Sequence, residues 1–214
     1  MRRKTNNKER QATDPVIQLK SSAAGAAILY RRLGLSDFLK VTTSLLREQL
    51  RGEPWKMMPP PADEKEKITR AEIRDAVILY RILKKLKGKE AALQIIGEIV
   101  NKAAILLFDY LLDPINLEDL VALEPEEQYN FITRNLNRFP NAVTTIEAVS
   151  PEKVQFTVTR CHMAEICSTI GLEELAPLFC SADKDYFESS VGVNFRRDNT
   201  IAEKAETCDF MLYR

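Results

Sequence analysis

The side chains best suited to chemistry are concentrated near one end of the chain. All four cysteines and the only histidine lie in the last 54 of the 214 residues: Cys161, His162, Cys167, Cys180 and Cys208. Thiols and imidazoles act either as metal ligands or as nucleophiles and bases. The sequence therefore places the candidate chemistry within residues 140–214.

A metal site is one alternative for this cluster. Structural zinc sites bring cysteines in pairs two to four residues apart, whereas five, twelve and 27 residues separate the successive cysteines of this chain. The spacing argues against a zinc finger. Convergence of Cys161, Cys180 and Cys208 with His162 or Asp183 in the folded chain could still hold zinc or iron.

Cys161 and Cys167 have different expected environments. Cys167 lies on an apolar helical segment, where a free cysteine packs as a small hydrophobic residue. Cys161 lies where a predicted strand runs directly into a predicted helix. Because a helix N-terminus lowers the pKa of a thiol and presents free N–H groups to a developing anion, this is the position expected of a nucleophilic cysteine. Glu165 lies one helical turn further on, within reach of Cys161 and His162.

Further polar residues accompany the cysteines. Cys180 and Asp183 share one face of a predicted helix, where the carboxylate could act as a general base. A pair of arginines ending at Arg197 suits bidentate recognition of a carboxylate, and equally suits a surface salt bridge. In the last predicted strand, Cys208 is expected to face inward and Asp209 outward.

Hydrophobic periodicity places these residues in a sheet that follows a helical region. Residues 68–112 carry apolar residues at three- and four-residue steps, which predicts two amphipathic helices separated at Gly88. The β-branched run 154–159 predicts half of a β-hairpin, and further strands are expected near residues 193–196 and 208–213. The predicted fold class is α+β, a helical N-terminal half followed by a mainly antiparallel sheet with helices packed on one face.

Composition along the chain predicts the domain organisation. We expect residues 1–14 to be a disordered basic tail and residues 15–62 to form N-terminal helices and a proline-rich linker. Residues 63–139 are predicted to be helical, and residues 140–214 to form the α+β block that contains the cysteines. Residues 63–214 are expected to form one compact domain.

Composition also excludes several classes of function. The chain has 31 Lys+Arg and 31 Asp+Glu, so no net charge drives it towards nucleic acid or an anionic membrane. Its longest apolar run has six residues, against about twenty for a membrane span. Four cysteines are too few for a disulfide scaffold, and no apolar signal segment follows the basic start, which predicts a cytoplasmic protein. Gly-rich phosphate loops and the GxSxG and HExxH motifs are missing from the sequence.

Several short blocks near the C-terminus form a recognisable set. They are Val158-Thr159-Arg160-Cys161, Gly171, Cys180-Ser181-Ala182-Asp183, Phe195-Arg196-Arg197, Thr200-Ile201-Ala202 and Cys208-Asp209-Phe210. Together they resemble the L-2-amino-thiazoline-4-carboxylic acid hydrolase family. One departure is that residues 203–206 occupy a region where the family usually has a glycine. The resemblance implies a hydrolase that opens the thiazoline ring of a small substrate bearing a carboxylate, in cysteine-related metabolism.

Residue chemistry suggests a role for each candidate in such a reaction. The predicted catalytic residues are Cys161, His162, Asp183, Cys208 and Asp209. The predicted substrate-binding residues are Arg197, Cys180 and Thr200. Cys161 would be the nucleophile or would orient water, His162 or Asp183 would transfer protons, and Arg197 would hold the substrate carboxylate.

A non-catalytic module is the alternative function. In that hypothesis the chain binds a small molecule or a metal and the helical half transmits occupancy to a partner. In either case, the hydrophobic helices at residues 68–112 could form a homodimer surface.

Overall fold

The computed structural model describes residues 14–139, 141–189 and 193–214, so the predicted basic tail lies outside the described residues apart from Asp14. The described residues form seven α-helices: α1 (Pro15–Leu50), α2 (Glu64–Lys87), α3 (Lys89–Leu111), α4 (Leu117–Leu120), α5 (Pro125–Leu136), α6 (His162–Thr169) and α7 (Ala176–Ser189). They also form four strands: β1 (Ala142–Val149), β2 (Lys153–Cys161), β3 (Asn194–Arg196) and β4 (Cys208–Tyr213). The strands make one antiparallel sheet in the order β1-β2-β4-β3, which confirms the predicted α+β class.

The first three helices build one of two hydrophobic cores. Asp63 caps α2 by accepting a hydrogen bond from the Glu66 backbone N–H (2.7 Å). Gly88, with a φ of 86°, separates α2 from α3, and α1 is kinked at Gly34, where φ is 71°. The core residues that these helices contribute include Leu29, Val41, Ile73, Tyr80 and Ile96.

The central helix of this region is α3. By length and composition alone, it is apolar enough to cross a membrane, and 28% of its most apolar window is buried. It packs against α1, α2 and α7. Its exposed residues are all polar: Lys89, Glu90, Gln94, Lys102 and Asp109. This distribution is typical of an amphipathic helix that packs against neighbouring helices.

One face of the sheet is covered by helices. The inward-facing residues of the two central strands are buried: Val154, Phe156, Val158, Cys208, Phe210 and Leu212. They pack in one core with Phe108 of α3 and Phe187 of α7. The predicted hairpin, the inward orientation of Cys208 and the placement of helices on one face are confirmed.

Candidate active site

A cavity of about 140 Å³ lies between α2, α3, α7 and the inner face of the sheet. Much of its lining is apolar and includes Leu107, Phe156 and Phe210. The lining also contains three thiols, two carboxyl groups and one guanidinium: Cys161, Cys180, Cys208, Glu72, Asp183 and Arg197. Because a cavity of about 150 Å³ accommodates benzene, the space suits one small ring.

Cys161 lies at the junction of β2 and α6. β2 ends at Cys161 and α6 begins at His162, whose backbone N–H donates to the Asn141 carbonyl oxygen (2.8 Å). The backbone N–H groups of Met163 and Ala164 lower the pKa of the Cys161 thiol, as predicted for a helix N-terminus, but burial outweighs them and the net pKa is raised. The expectation of a lowered pKa is therefore wrong, and the Cys161 thiol is protonated at neutral pH.

Cys180 and Cys208 complete the group of thiols on the cavity wall. The Cys208 Sγ accepts a hydrogen bond from the Ile201 backbone N–H (3.2 Å), and the Cys180 thiol donates to the Ala176 carbonyl oxygen (3.7 Å). Burial is the largest cause of the raised pKa of both thiols. Cys161 and Cys208 each contribute to the raised pKa of Cys180, so the three thiols lie close enough to interact electrostatically.

Cys167 does not line the cavity. It is fully buried in the helical core with Ile166 and Leu175. Burial raises the pKa of its thiol to about 12. The prediction that Cys167 is a core residue is confirmed.

Asp183 and Arg197 form an ion pair in the cavity wall. The Arg197 Nη1 donates to the Asp183 carboxylate, and its Nη2 donates to the Cys180 carbonyl oxygen (3.1 Å). The guanidinium also lies 5.2 Å from the centroid of the Phe210 ring. Burial raises the pKa of Asp183 to about 6, although Arg197 opposes the rise. Asp183 is therefore a carboxylate that takes up a proton readily near neutral pH.

Three predicted site residues, His162, Thr200 and Asp209, do not line the cavity. The His162 imidazole is buried, and its Nδ1 lies 3.3 Å from the Glu165 Oε2, within ion-pair range but without hydrogen-bond geometry. Glu165 therefore lies within reach of His162, as the sequence predicted, but no hydrogen bond joins the two side chains.

Thr200 and Asp209 hold the segment that leads into β4. The Thr200 hydroxyl accepts a hydrogen bond from the Glu203 backbone N–H (3.2 Å). Asp209 accepts a hydrogen bond from the Asn199 backbone N–H (2.6 Å) and another from the Asp198 N–H. Both side chains therefore stabilise the local backbone through hydrogen bonds.

The geometry also bears on the metal hypothesis. Within residues 14–139, 141–189 and 193–214, no group of three or more His, Cys, Asp or Glu side chains is close enough together to hold a metal ion. The zinc or iron site considered for Cys161, Cys180, Cys208 and His162 is therefore not supported by the described residues. The thiols share a cavity, but their sulfur atoms do not form a ligand set.

Glu72 is the cavity residue that the sequence reasoning missed. It lies on α2, and its Oε1 atom is buried with no hydrogen-bond partner in the described part of the chain. Burial alone raises the pKa of its carboxyl group to about 7. The sequence position of Glu72 could have predicted its burial. Glu72 lies one turn before Ala76 and two turns before Leu79, on the apolar side of α2.

Comparison with known proteins gives a match over the region of the chain that contains the cavity residues. A family model described as L-2-amino-thiazoline-4-carboxylic acid hydrolase matches residues 67–212. This match covers more than half of the chain and includes all six polar residues named above in the cavity lining. No curated protein and no solved structure matches the chain.

Proposed function

We propose, because the chain belongs to the L-2-amino-thiazoline-4-carboxylic acid hydrolase family, that it opens the ring of a small cyclic amidine that carries a carboxylate. The proposed substrate is of the 2-amino-thiazoline-4-carboxylate type, in cysteine-related metabolism. The observation that carries the proposal is the cavity on which Cys161, Asp183 and Arg197 meet. Its volume suits a five-membered ring, and its polar groups suit attack on a polarised carbon.

The proposed reaction adds one water molecule across a ring bond. The water oxygen ends on C2, the amidine carbon, and a hydrogen ends on the ring sulfur or nitrogen that leaves. The Cys161 Sγ forms a bond to C2 and is displaced by water in a second step, or it orients a water molecule that attacks directly.

Proton transfer in this scheme falls to Asp183. Burial is the main cause of the raised pKa of the Cys161 thiol, and the Asp183 carboxylate adds a smaller contribution. Asp183 accepts the proton as the attack proceeds and returns it to the leaving atom. The N–H groups of Met163 and Ala164 favour the negative charge that develops on the sulfur.

Arg197 supplies positive charge for the substrate carboxylate. Two of its N–H groups are engaged by Asp183 and the Cys180 carbonyl oxygen, and a guanidinium has five. The remaining donors can bind a carboxylate without loss of the ion pair. When Asp183 takes up a proton, its hold on Arg197 weakens and a further donor is released to the substrate.

Binding without turnover is the second candidate function. It is favoured by the raised pKa of all three cavity thiols, since nucleophilic cysteines usually have a lowered pKa.

We also propose a cytoplasmic location, because all four cysteines are free thiols. A homodimer through residues 68–112 stays a prediction, and in the single chain both helices of this range pack against α1.

Incubation of the purified protein with L-2-amino-thiazoline-4-carboxylate tests the proposed activity. We expect the protein to form, catalytically, a product that is heavier than the substrate by one water molecule, as detected by mass spectrometry. If the ring sulfur is the leaving atom, this product carries a free thiol. Binding of the substrate without any product would favour the second candidate function. If the protein neither binds this compound nor converts it, the proposed substrate class is contradicted.

A further inference from the structure

The cavity holds a buried carboxyl group that the proposed reaction has not used. Glu72 projects into it from α2, and its Oε1 atom is inaccessible and has no hydrogen-bond partner among the described residues. An unpaired carboxyl group in an apolar space is costly to a folded protein. Such a group is typical of a site that a ligand completes.

Glu72 and Arg197 act on different parts of the cavity. Arg197 influences the pKa of Asp183, Cys180 and Cys208, whereas only burial influences that of Glu72. Glu72 lines the cavity from α2, whereas Arg197 lines it beside Asp183 and Cys180. The cavity lining thus contains a cation at Arg197 and, on α2, a carboxyl oxygen that has no hydrogen-bond partner among the described residues.

We infer that Glu72 recognises the amidine group of the ligand and that the cavity is specific for molecules that combine an amidine with a carboxylate. This inference rests on the proposed function for the ligand class and goes beyond it in assigning the residue that selects the amidine. A carboxylate accepts two parallel N–H groups in one plane. The ring nitrogen and the exocyclic amino group on C2 of a protonated 2-amino-thiazoline present such a pair.

The proton balance of this contact favours the reaction. A neutral Glu72 carboxyl group transfers its proton to the ring nitrogen of a neutral amidine, and a carboxylate–amidinium pair results. The total charge of the complex does not change. The positive charge on the amidinium withdraws electrons from C2, which makes that carbon a better target for Cys161 or water.

Binding measurements on two partial ligands test the inference. 2-Amino-thiazoline has the amidine without the carboxylate, and L-thiazolidine-4-carboxylate has the carboxylate without the amidine. We expect Glu72→Gln to weaken binding of 2-amino-thiazoline by about tenfold or more, which is the loss of one charge-assisted interaction. Binding of L-thiazolidine-4-carboxylate is expected to stay within about twofold of wild type, because Arg197 is intact. NMR titration reaches the weak affinities of such fragments.

Control variants separate recognition from folding. Glu90→Gln removes a carboxylate from an exposed position on α3 and is expected to change neither affinity. Glu72→Asp keeps the charge and draws it back by one methylene group, so an intermediate loss of 2-amino-thiazoline binding is expected. This second variant carries the test if Glu72→Gln does not fold.

The outcomes also separate this inference from the proposed activity. Equal binding of 2-amino-thiazoline by wild type and the Glu72 variants, or no binding by wild type, overturns the role of Glu72 even if the protein turns over the full substrate. Conversely, selective loss of 2-amino-thiazoline binding in a protein without turnover supports Glu72 as the amidine-recognising residue and contradicts only the hydrolysis.

Discussion

At the residue scale, the Glu72 carboxyl group makes stability depend on pH. Its pKa is about 7 in the folded protein, against an ordinary value of 4.5, because burial disfavours the charged form. The folded state therefore holds this proton over a pH range in which the unfolded chain has lost it. Its stabilising effect is complete below about pH 4.5 and is lost as the pH rises through 7.

Glu72→Gln is expected to remove this pH dependence, because glutamine does not titrate. The difference between the two pKa values corresponds to about 3 kcal/mol in the free energy of unfolding. Urea unfolding at pH 5 and pH 7.5 should show a smaller decline for Glu72→Gln than for wild type. Glu90→Gln should retain the wild-type decline, and equal declines in all three proteins would contradict the raised pKa.

Asp183→Asn tests the ion pair in the cavity wall. The change leaves Arg197, whose side chain is 12% exposed, without its carboxylate. An unpaired buried charge is expected to lower the free energy of unfolding by about 3 kcal/mol. The double variant Asp183→Asn/Arg197→Met should recover part of that loss in urea unfolding. If the double variant is less stable than either single variant, the loss of stability in Asp183→Asn is not caused by the broken ion pair.

Five of the residues that local sequence pattern singled out lie on one cavity wall in the structure. Cys161, Cys180, Asp183, Arg197 and Cys208 all line the cavity. The pKa of Cys161 was mispredicted because the helix N-terminus is a local feature, whereas burial depends on the packing of remote segments. Remote packing also concealed Glu72, which reaches the cavity from a helix far from the cysteines in the sequence.

At the element scale, the position of Cys161 depends on α6 being held at both of its ends. The helix stops in a Schellman motif, in which the Leu172 N–H donates to the Cys167 carbonyl oxygen (2.8 Å) and the Gly171 N–H donates to that of Ser168 (3.0 Å). This arrangement requires the φ of 65° at Gly171. A residue with a Cβ atom is strained at that angle.

Two glycine substitutions are therefore expected to have opposite effects. Gly171→Ala should lower the free energy of unfolding by about 1 kcal/mol. Gly97→Ala, inside α3, should raise it by about 0.5 kcal/mol, because the new Cβ atom would lie 3.6 Å from the Leu178 side chain, an ordinary contact. Thermal or urea unfolding measures both, and a stabilising Gly171→Ala would contradict the helix end described here.

The boundaries of helices and strands were predictable where a glycine or a run of β-branched residues marks them. Gly88 and the run 154–159 located the helix break and the hairpin strand. The sheet order was not predictable, because the pairing of β2 with β4 joins strands that are distant in sequence. Local patterns indicate that a strand exists, and long-range packing decides which strand it pairs with.

At the scale of the whole molecule, the first helix belongs to the helical core. Leu29 and Val41 of α1 are 3% and 1% exposed and pack in the same cluster as Tyr80 and Ile96. The sequence favoured residues 63–214 as a compact domain, and the burial of α1 against α2 and α3 now predicts that this range is unstable alone.

A truncated chain tests that prediction. Removal of residues 1–62 would expose the apolar surfaces of α2 and α3 that α1 covers, so aggregation or loss of cooperative unfolding is expected. Removal of residues 1–13 alone is the matched comparison, because it leaves α1 complete. A truncated 63–214 chain that unfolds cooperatively at the wild-type temperature would contradict the role of α1.

Cys161 is the residue on which the proposed opening of a thiazoline ring depends. The most direct measurement compares the rate of ring opening of L-2-amino-thiazoline-4-carboxylate by wild type, Cys161→Ala and Cys167→Ala, with substrate affinity measured in parallel. We expect Cys161→Ala to lose at least about a hundredfold in rate while it still binds substrate, and Cys167→Ala to keep its rate if it folds. A Cys161→Ala protein that opens the ring at the wild-type rate would contradict this role of Cys161.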